Sequence, residues 1–357
     1  MTSVPRVAVL GQGLAGTLVS LGLRQNAVPH HAYDAGHSRA SSYAAAGIVN
    51  PVTGRRFVLV EGYESYVAQF GVYAQATELL GRPFLHPLTI YRDLSQTKDR
   101  NQWDLRRLDA AYAPFLGEPL RPAAVGLPPK LATTWLGPTR DAYRVDMAGL
   151  IAAYRVLLKS ERTLHERTVT HADLRRKKNA WELGGRLYSH VVDCRGAGSA
   201  ASGPWDDLPW RLSKGEALRL RNASWPPVAA TKIGGMFVCP VGDGTSIWYG
   251  GTSTDHFADA APDHAVGERL RQDLRELALL DDATGNTTTV ATDATNDVEH
   301  LVAVRPTMRD RATRALRHPT LPGLYLCNGF GTKGALVGPS VAAELWSILR
   351  ADLGVAP

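Results

Sequence analysis

An apolar run, Arg6-Val7-Ala8-Val9-Leu10, leads directly into Gly11-Gln12-Gly13-Leu14-Ala15-Gly16, and this junction constrains the chain more than any other feature. A short run of that kind suits a parallel strand covered on both faces. The residues that follow, Thr17 to Arg24, keep helical spacing, with Leu18, Leu21 and Gly22 directed at the sheet. In such a turn the first glycine permits the tight bend and the second lets the backbone approach a pyrophosphate. The third allows helix and strand to pack closely, while the helix N-terminus offers partial positive charge. His30 to Asp34 reads as a second strand ending in an acid 18 residues beyond Gly16. That is close to the spacing of a carboxylate that accepts ribose hydroxyls. Gly11, Gly13, Leu14, Ala15, Gly16 and Asp34 are therefore expected to bind a dinucleotide, the alternative being a structural glycine turn. The motif alone does not separate NAD from FAD.

At 357 residues the chain has room for about two domains. Its 44% hydrophobic and 21% charged content fits a soluble globular protein. The net charge of +6 favours anionic partners. The basic residues are scattered except at Arg175-Arg176-Lys177-Lys178, which reads as a solvated hairpin edge rather than a binding patch. Cys194, Cys239 and Cys327 lie far apart among apolar neighbours with no metal-ligand spacing, so no metal site is expected. Each reads as a buried small hydrophobe, which suits a reducing compartment. No apolar stretch reaches the roughly 18 residues of a membrane span, and the first residues do not resemble a signal peptide. A cytoplasmic protein is the expectation.

The Ser/Ala/Gly-rich stretch Arg39 to Gly54 is too small and flexible in composition to form a core element by itself. The pattern then predicts a helix from about Gly62 to Leu80, and alternating β-like pieces and turns between about 82 and 145. A helix over Ala148 to Lys159 follows, with Asp146 as its N-cap. Further strands are expected at Thr168-Val169-Thr170, Trp181-Glu182-Leu183, Val191 to Cys194 and Glu216 to Leu220. Met236-Phe237-Val238 and Ile247 to Gly250 read as a pair split by the turn Gly242-Asp243-Gly244. A helix over His264 to Leu280 precedes the last segment, a strand at Leu324 to Cys327, a Gly-rich loop, and a helix from Ser340 to Leu349. The expected fold class is α/β (α+β), with one nucleotide-binding domain assembled from discontinuous segments and a β-rich domain inserted in two pieces. The nucleotide domain takes 1–81, 146–208 and 305–357, and the β-rich domain 82–145 and 209–304.

Two more motifs bear on the cofactor. In Ser41-Ser42-Tyr43-Ala44-Ala45-Ala46-Gly47-Ile48-Val49-Asn50-Pro51, small side chains would let the backbone press against a flat or charged ligand, and the hydroxyls can donate to phosphate. A plain Ala-rich connection is the equal alternative. The loop Gly329 to Gly334 offers backbone NH groups and the Lys333 charge to a negative charge developing on a reduced ring system. A domain for NAD alone has no need of that second loop, whereas FAD carries an isoalloxazine as well as a pyrophosphate.

Taken together, GQGLAG with Asp34, SSYAAAGIVNP, VVDCRGAGS and RPTMRD…LYLCNGFGTKGALVGPSVAAEL resemble the D-amino-acid oxidase superfamily, in particular its glycine-oxidase-like and sarcosine-oxidase-like branch. The resemblance implies a Rossmann-like FAD-binding domain under a mixed-sheet substrate domain. It places flavin contacts at Ser41, Ser42, Ala46, Gly47, Val169, Gly198, Gly329, Gly331, Thr332 and Lys333. It further implies oxidation of a C–N bond of a small amino acid or secondary amine, by hydride transfer to flavin N5 and hydrolysis of the imine. Arg305 matches the arginine that binds the substrate carboxylate in related enzymes; a guanidinium grips a carboxylate through two parallel hydrogen bonds. The alternative is an arginine salt-bridged at a strand end. Tyr249, with Trp248, is a further candidate for the pocket wall, although aromatics on such a strand are often core. No cysteine lies near Arg305, so FAD is expected to be bound non-covalently. Arg55 and Arg56 read equally as a second anion site or as surface charge.

The loop Gly331-Thr332-Lys333-Gly334 and the segment Ala45-Ala46-Gly47 also resemble the flavin domain of the bifunctional enzyme that makes 5-methylaminomethyl-2-thiouridine, so a modified tRNA uridine is an alternative substrate. Against it, no organised basic stripe with aromatics is visible. A flavin-binding paralogue without turnover is the third reading, opposed by the presence of Arg305 and Lys333.

Overall fold

The computed structural model describes residues 7–36, 38, 40–127, 134–201, 203–221, 223, 225–226, 229–242, 244–277, 279–280 and 298–355. Arg6, Arg39, Asp243 and Ala278, which fall within the expected strand, connection, turn and helix, lie outside the described residues.

Two sheets organise the molecule. The first has six strands in the spatial order Arg314–Arg317, Leu324–Asn328, His190–Asp193, Val7–Leu10, His30–Tyr33 and Leu164–His165. All neighbours are parallel except the antiparallel edge pair Arg314–Arg317 and Leu324–Asn328. Val7 to Leu10 are buried on both faces, as their unbroken apolar run requires. The helix Leu14–Gln25 leaves the C-terminal end of the central strand. It packs through Val19 and Leu23 on Val341 and Leu345 of the last helix, Gly334–Leu353.

The second sheet has eight strands: Val298–Arg305, Ser213–Arg221, Ser246–Gly250, Met236–Val241, Ala229–Ile233, Leu85–Asp93, Leu136–Val145 and Ile48–Val49. It is antiparallel apart from the parallel pair Ala229–Ile233 and Leu85–Asp93. One face packs against the helix His264–Glu276 through Leu218, Tyr249, Leu270 and Leu274. The other carries Ala217, Trp248, Leu301 and Cys239 towards the Ser41–Ala46 stretch. The architecture is thus the mixed α/β class with a β-rich portion that the sequence predicts. The basic run falls where a hairpin edge was expected, as the exposed strand Arg175–Lys177 of a small separate sheet.

Several expected elements differ, each for a physical reason. Thr168 to Thr170 form no strand, because Leu164–His165 already closes the edge of the six-stranded sheet. The helix expected over Gly62 to Leu80 breaks into Tyr63–Val67 and Gly71–Leu80, a break that seats Phe70 in the core beside Tyr73 and Tyr143. Thr97–Arg107 is a helix inside the stretch read as β pieces and turns; with only Trp103 buried it carries no apolar stripe to announce it. Asp146 caps Met147–Ser160 as expected, accepting from Gly149 N at 3.1 Å.

The last helix begins at Gly334, not Ser340, and runs through Pro339. Proline removes the hydrogen bond that the carbonyl four residues earlier would accept. That carbonyl belongs to Ala335, and the buried Tyr73 hydroxyl donates to it at 2.9 Å. Gly338 allows the close crossing there, since a Cβ would stand 2.9 Å from Leu18 Cδ1.

Candidate active site

A cavity of about 1520 Å³ runs between the two sheets. Pockets for drug-sized ligands span about 300–1,000 Å³, so this one has room for a dinucleotide cofactor and a substrate together. Of the expected site residues, Gly11, Gly13, Leu14, Ala15, Asp34, Ser41, Ser42, Ala46, Gly47, Val169, Gly198, Arg305, Gly331, Thr332 and Lys333 line it.

The glycines of the first turn differ in what surrounds them. Gly11 has φ +85°, and a Cβ there would meet the Cys194 carbonyl at 2.6 Å. A Cβ on Gly16 would stand 1.9 Å from the Gly11 carbonyl oxygen, so Gly16 serves packing and does not line the cavity. A Cβ on Gly13 would find no atom nearer than Ser42 Oγ at 3.6 Å. Its bareness therefore serves nothing within the protein and fits the approach of a phosphate. The Leu14 amide, at the N-terminus of the first helix, donates to Ser42 Oγ at 3.1 Å, which places this hydroxyl at the anion-binding end.

Asp34 accepts from Gln12 N and Gly36 N, each at 2.8 Å, and pairs with the buried Arg155 at 2.7 Å. Arg155 also reaches Gln12 Oε1 and Glu166. This network, which the sequence reading missed, fixes the strand-terminal acid in place. Val169 has its carbonyl held by Arg195 Nη1 at 3.0 Å. Arg195 is in turn clamped by Asp193, which also accepts from Ser199 and Trp205. Asn328 ties the C-terminal loop to the same turn through Gly196 O and Ser199 Oγ. The signal for this cluster was an acid ending a buried strand directly before Arg195-Gly196-Ala197-Gly198, read only as a strand terminus.

At the other end, Gly47 has φ +76°, and a Cβ there would lie 1.9 Å from the Val145 carbonyl. The small residues before it are pressed by the eight-stranded sheet: Trp248 Nε1 donates to Ala44 O at 2.9 Å, and Arg219 lies over the Tyr43 ring. The last helix starts at the cavity, with Gly334, Ala335 and Leu336 on its wall beside exposed Lys333. A helix N-terminus and a cation converge there, a setting that favours negative charge on a ligand. Gly329 does not line the cavity; with φ +81° it packs against Ala312 and Thr313 and turns the chain into the loop.

Arg305 ends the strand Val298–Arg305 on the cavity wall. Its guanidinium lies over Gly215, where a Cβ would collide with it at 2.0 Å, and 3.6 Å from a Cβ placed on Gly251. It donates to Thr252 O at 3.1 Å and, among the described residues, forms no ion pair. Burial pushes its pKa down. A half-buried cation without a counter-ion is costly unless something pairs with it, so a ligand carboxylate suits the place.

Tyr249 does not join the site. Strand alternation sends Trp248 to the cavity and Tyr249 to the opposite face, where its hydroxyl donates to Asp273 at 3.1 Å beneath the helix His264–Glu276. Arg55 and Arg56 are exposed on the turn after Thr53 and do not line the cavity. Lys232, which sequence reasoning passed over, does. Among the described residues, no three His, Cys, Asp or Glu side chains gather to hold a metal, and no helix is long and apolar enough to cross a membrane.

The fold has known counterparts. Glycine oxidase from Geobacillus kaustophilus superposes with a TM-score of 0.70 at 20% identity, covering 98% of this chain and 94% of that one. Glycine oxidase from Bacillus cereus gives 0.74 at 18% identity, with 98% and 95% covered. Iminodiacetate oxidase from Chelativorans sp. gives 0.70 at 20%, with 97% and 95% covered. The sequence model of the DAO family, described as FAD dependent oxidoreductase, matches residues 6–346. With the glycine turn, the cavity and this match across nearly its whole length, the chain belongs to the DAO family of FAD-dependent oxidoreductases.

Proposed function

We propose that this protein oxidises the C–N bond of a small amino acid or secondary amine that bears a carboxylate, giving an imine that water hydrolyses. The observation that carries the reading is Arg305: a half-buried guanidinium on the cavity wall with no ion-pair partner among the described residues. Bound FAD supplies the hydride acceptor. The chain's own residues orient and stabilise. Arg305 grips the substrate carboxylate through two parallel hydrogen bonds, and Gly215 and Gly251 leave the space that its head occupies. Trp248, fixed by Ala44 O, walls the cavity between them. Lys333 and the N-terminus of the last helix stabilise negative charge where the ring system would lie. Glycine and iminodiacetate, after which two of the structural relatives are named, are both carboxylate-bearing amines, which supports this class.

We assign the FAD-binding unit to 1–81, 146–208 and 305–357 and the substrate unit to 82–145 and 209–304. The strands of each sheet support the division, apart from Ile48–Val49, which crosses to the eight-stranded sheet, and Arg305, which ends a strand of that sheet. Three buried thiols, none in a disulfide, support a reducing cytoplasm and a non-covalent flavin.

The test is Arg305→Met in the FAD-loaded protein. Losing a charge-assisted bidentate pair of about 3 kcal/mol raises KM for a carboxylate-bearing amine roughly a hundredfold, while an amine without a carboxylate is unaffected. Equal loss for both substrates would refute the assignment.

A further inference from the structure

Within that reading of the site, and resting on it, we propose that the substrate carries a second anionic group and that Lys232 receives it. The substrate class is then an amino dicarboxylate.

The placement follows from strand register. Lys232 pairs with Phe237 on one side and with Arg92 on the other, and Phe237 pairs with Gly250. Register partners share a face, so Lys232 lies on the face that carries Ala217, Trp248 and Arg305. It lines the cavity together with Asn50, Thr53 and Phe237, and its ammonium sits 4.8 Å from the Phe237 ring centroid.

The two cationic heads come closer than their strands. Arg305 reaches across Gly215 to Gly251, while Lys232 leans over Phe237, the register partner of Gly250. Gly215 and Phe237, which the two heads overlie, are two strand spacings and two residues of register apart, on the order of 12 Å. An amine with a carboxylate at each end of a short chain spans that gap.

The electrostatics around Lys232 favour an anion. Among the described residues no carboxylate pairs with Lys232, and the charges that bear on it are those of Arg92 and Arg55. Arg92 is only 7% exposed. It donates through Nη2 to Gly54 O at 2.8 Å and stacks over Phe57, but its buried Nη1 has no hydrogen-bond partner. Asp99 partly offsets Arg92 and does nothing comparable for Lys232. Clustered, desolvated cations oppose folding, and apolar residues of the same size would be more stable. The arrangement is rational when an anion joins it.

Binding without turnover provides the test. The oxidised FAD-loaded protein is titrated with acetate, butyrate, malonate, succinate, glutarate and adipate, following the flavin difference spectrum, in the wild type, Lys232→Met, Lys232→Arg and Arg305→Met. One dicarboxylate should bind at least about tenfold more tightly than the monocarboxylates, as one added charge-assisted contact allows. Lys232→Met should erase that advantage and keep the monocarboxylate affinity, Lys232→Arg should retain it, and Arg305→Met should weaken both classes. Equal binding of both classes by the wild type would overturn the proposal. So would a Lys232→Met spectrum altered before ligand is added, since Lys232 would then serve the flavin. If dicarboxylates bind in this way but no amine reduces the flavin, the oxidation reading fails and the Lys232 site stands. If neutral amino acids reduce the flavin and dicarboxylates gain nothing, the reverse holds.

Discussion

Alanine at Gly13 and alanine at Gly16 are the same chemical change, yet the structure predicts opposite consequences. Gly13 has φ −76° and ψ −161°, which any residue adopts, and the added methyl group makes only ordinary contact at 3.6 Å. Replacing glycine gains about 0.4–1 kcal/mol from the unfolded chain. Losing it at a helix N-cap costs a comparable amount. The apoprotein should therefore stay within ~1 kcal/mol of wild type, a Tm change of roughly 2–4 °C at most. The same methyl group projects into the open cavity; if Gly13 receives the pyrophosphate, as its spacing suggests, FAD affinity should fall about 10- to 100-fold, or ~1.4–2.8 kcal/mol. Gly16 lies inside the helix, where alanine would by propensity gain about 1 kcal/mol. Its Cβ, however, would sit 1.9 Å from the Gly11 carbonyl oxygen and 2.9 Å from the carbonyl carbon. Backbone cannot yield as a side chain does, and overpacking of this kind costs about 3 kcal/mol or more. Gly16→Ala should therefore melt at least about 4 °C lower even without cofactor. Thermal melts of the two apoproteins, with FAD titrations by fluorescence quenching, separate the cases. A Gly13→Ala protein that binds FAD like wild type would refute the assigned role of that glycine, and an unperturbed Gly16→Ala apoprotein would refute the packing argument.

Two other perturbations have expected outcomes. Tyr73→Phe removes the donor to the Ala335 carbonyl that Pro339 leaves open, and should cost about 1–3 kcal/mol in urea unfolding of the apoprotein. Pro339→Ala in that background restores an NH donor and should recover most of the loss. Burial, reinforced by Arg92 and Arg55, pushes the Lys232 pKa down to about 8. Its charge is present below that value and lost above it, so the dicarboxylate advantage should decline as pH rises through about 8. An advantage constant up to about pH 10, near the ordinary lysine pKa, would contradict this.

The first strand, glycine turn and helix were legible because their geometry is local. Gly11, Gly13, Gly16 and Asp34 act within one strand–turn–helix–strand unit, where spacing alone dictates geometry. What was misread depends on contacts between distant residues. Tyr249 looked like a pocket residue because nothing local reveals which strand face meets the cavity and which meets the helix His264–Glu276. The last helix, expected only from Ser340, runs on through Pro339 because Tyr73, 266 positions away, serves the carbonyl that the proline leaves open. The polar helix Thr97–Arg107 gave no periodic signal. Lys232 drew no notice as a single charge in an otherwise apolar and small-residue strand; only the register that sets it beside Phe237 and Arg92 exposes its setting. Asp193 and Arg155 likewise gain their meaning from partners brought in by other strands and helices.

One measurement tests FAD binding and the proposed oxidation of a carboxylate-bearing amine together. The most direct measurement is the visible spectrum of the purified, FAD-loaded protein during anaerobic addition of glycine, sarcosine, iminodiacetate, and D- and L-amino acids including aspartate and glutamate. The oxidised flavin bands should bleach with at least one of these amines, fastest with a dicarboxylate, and Arg305→Met should slow the bleaching. A protein that takes up no FAD, or a flavin that no member of the panel reduces, would contradict this expectation.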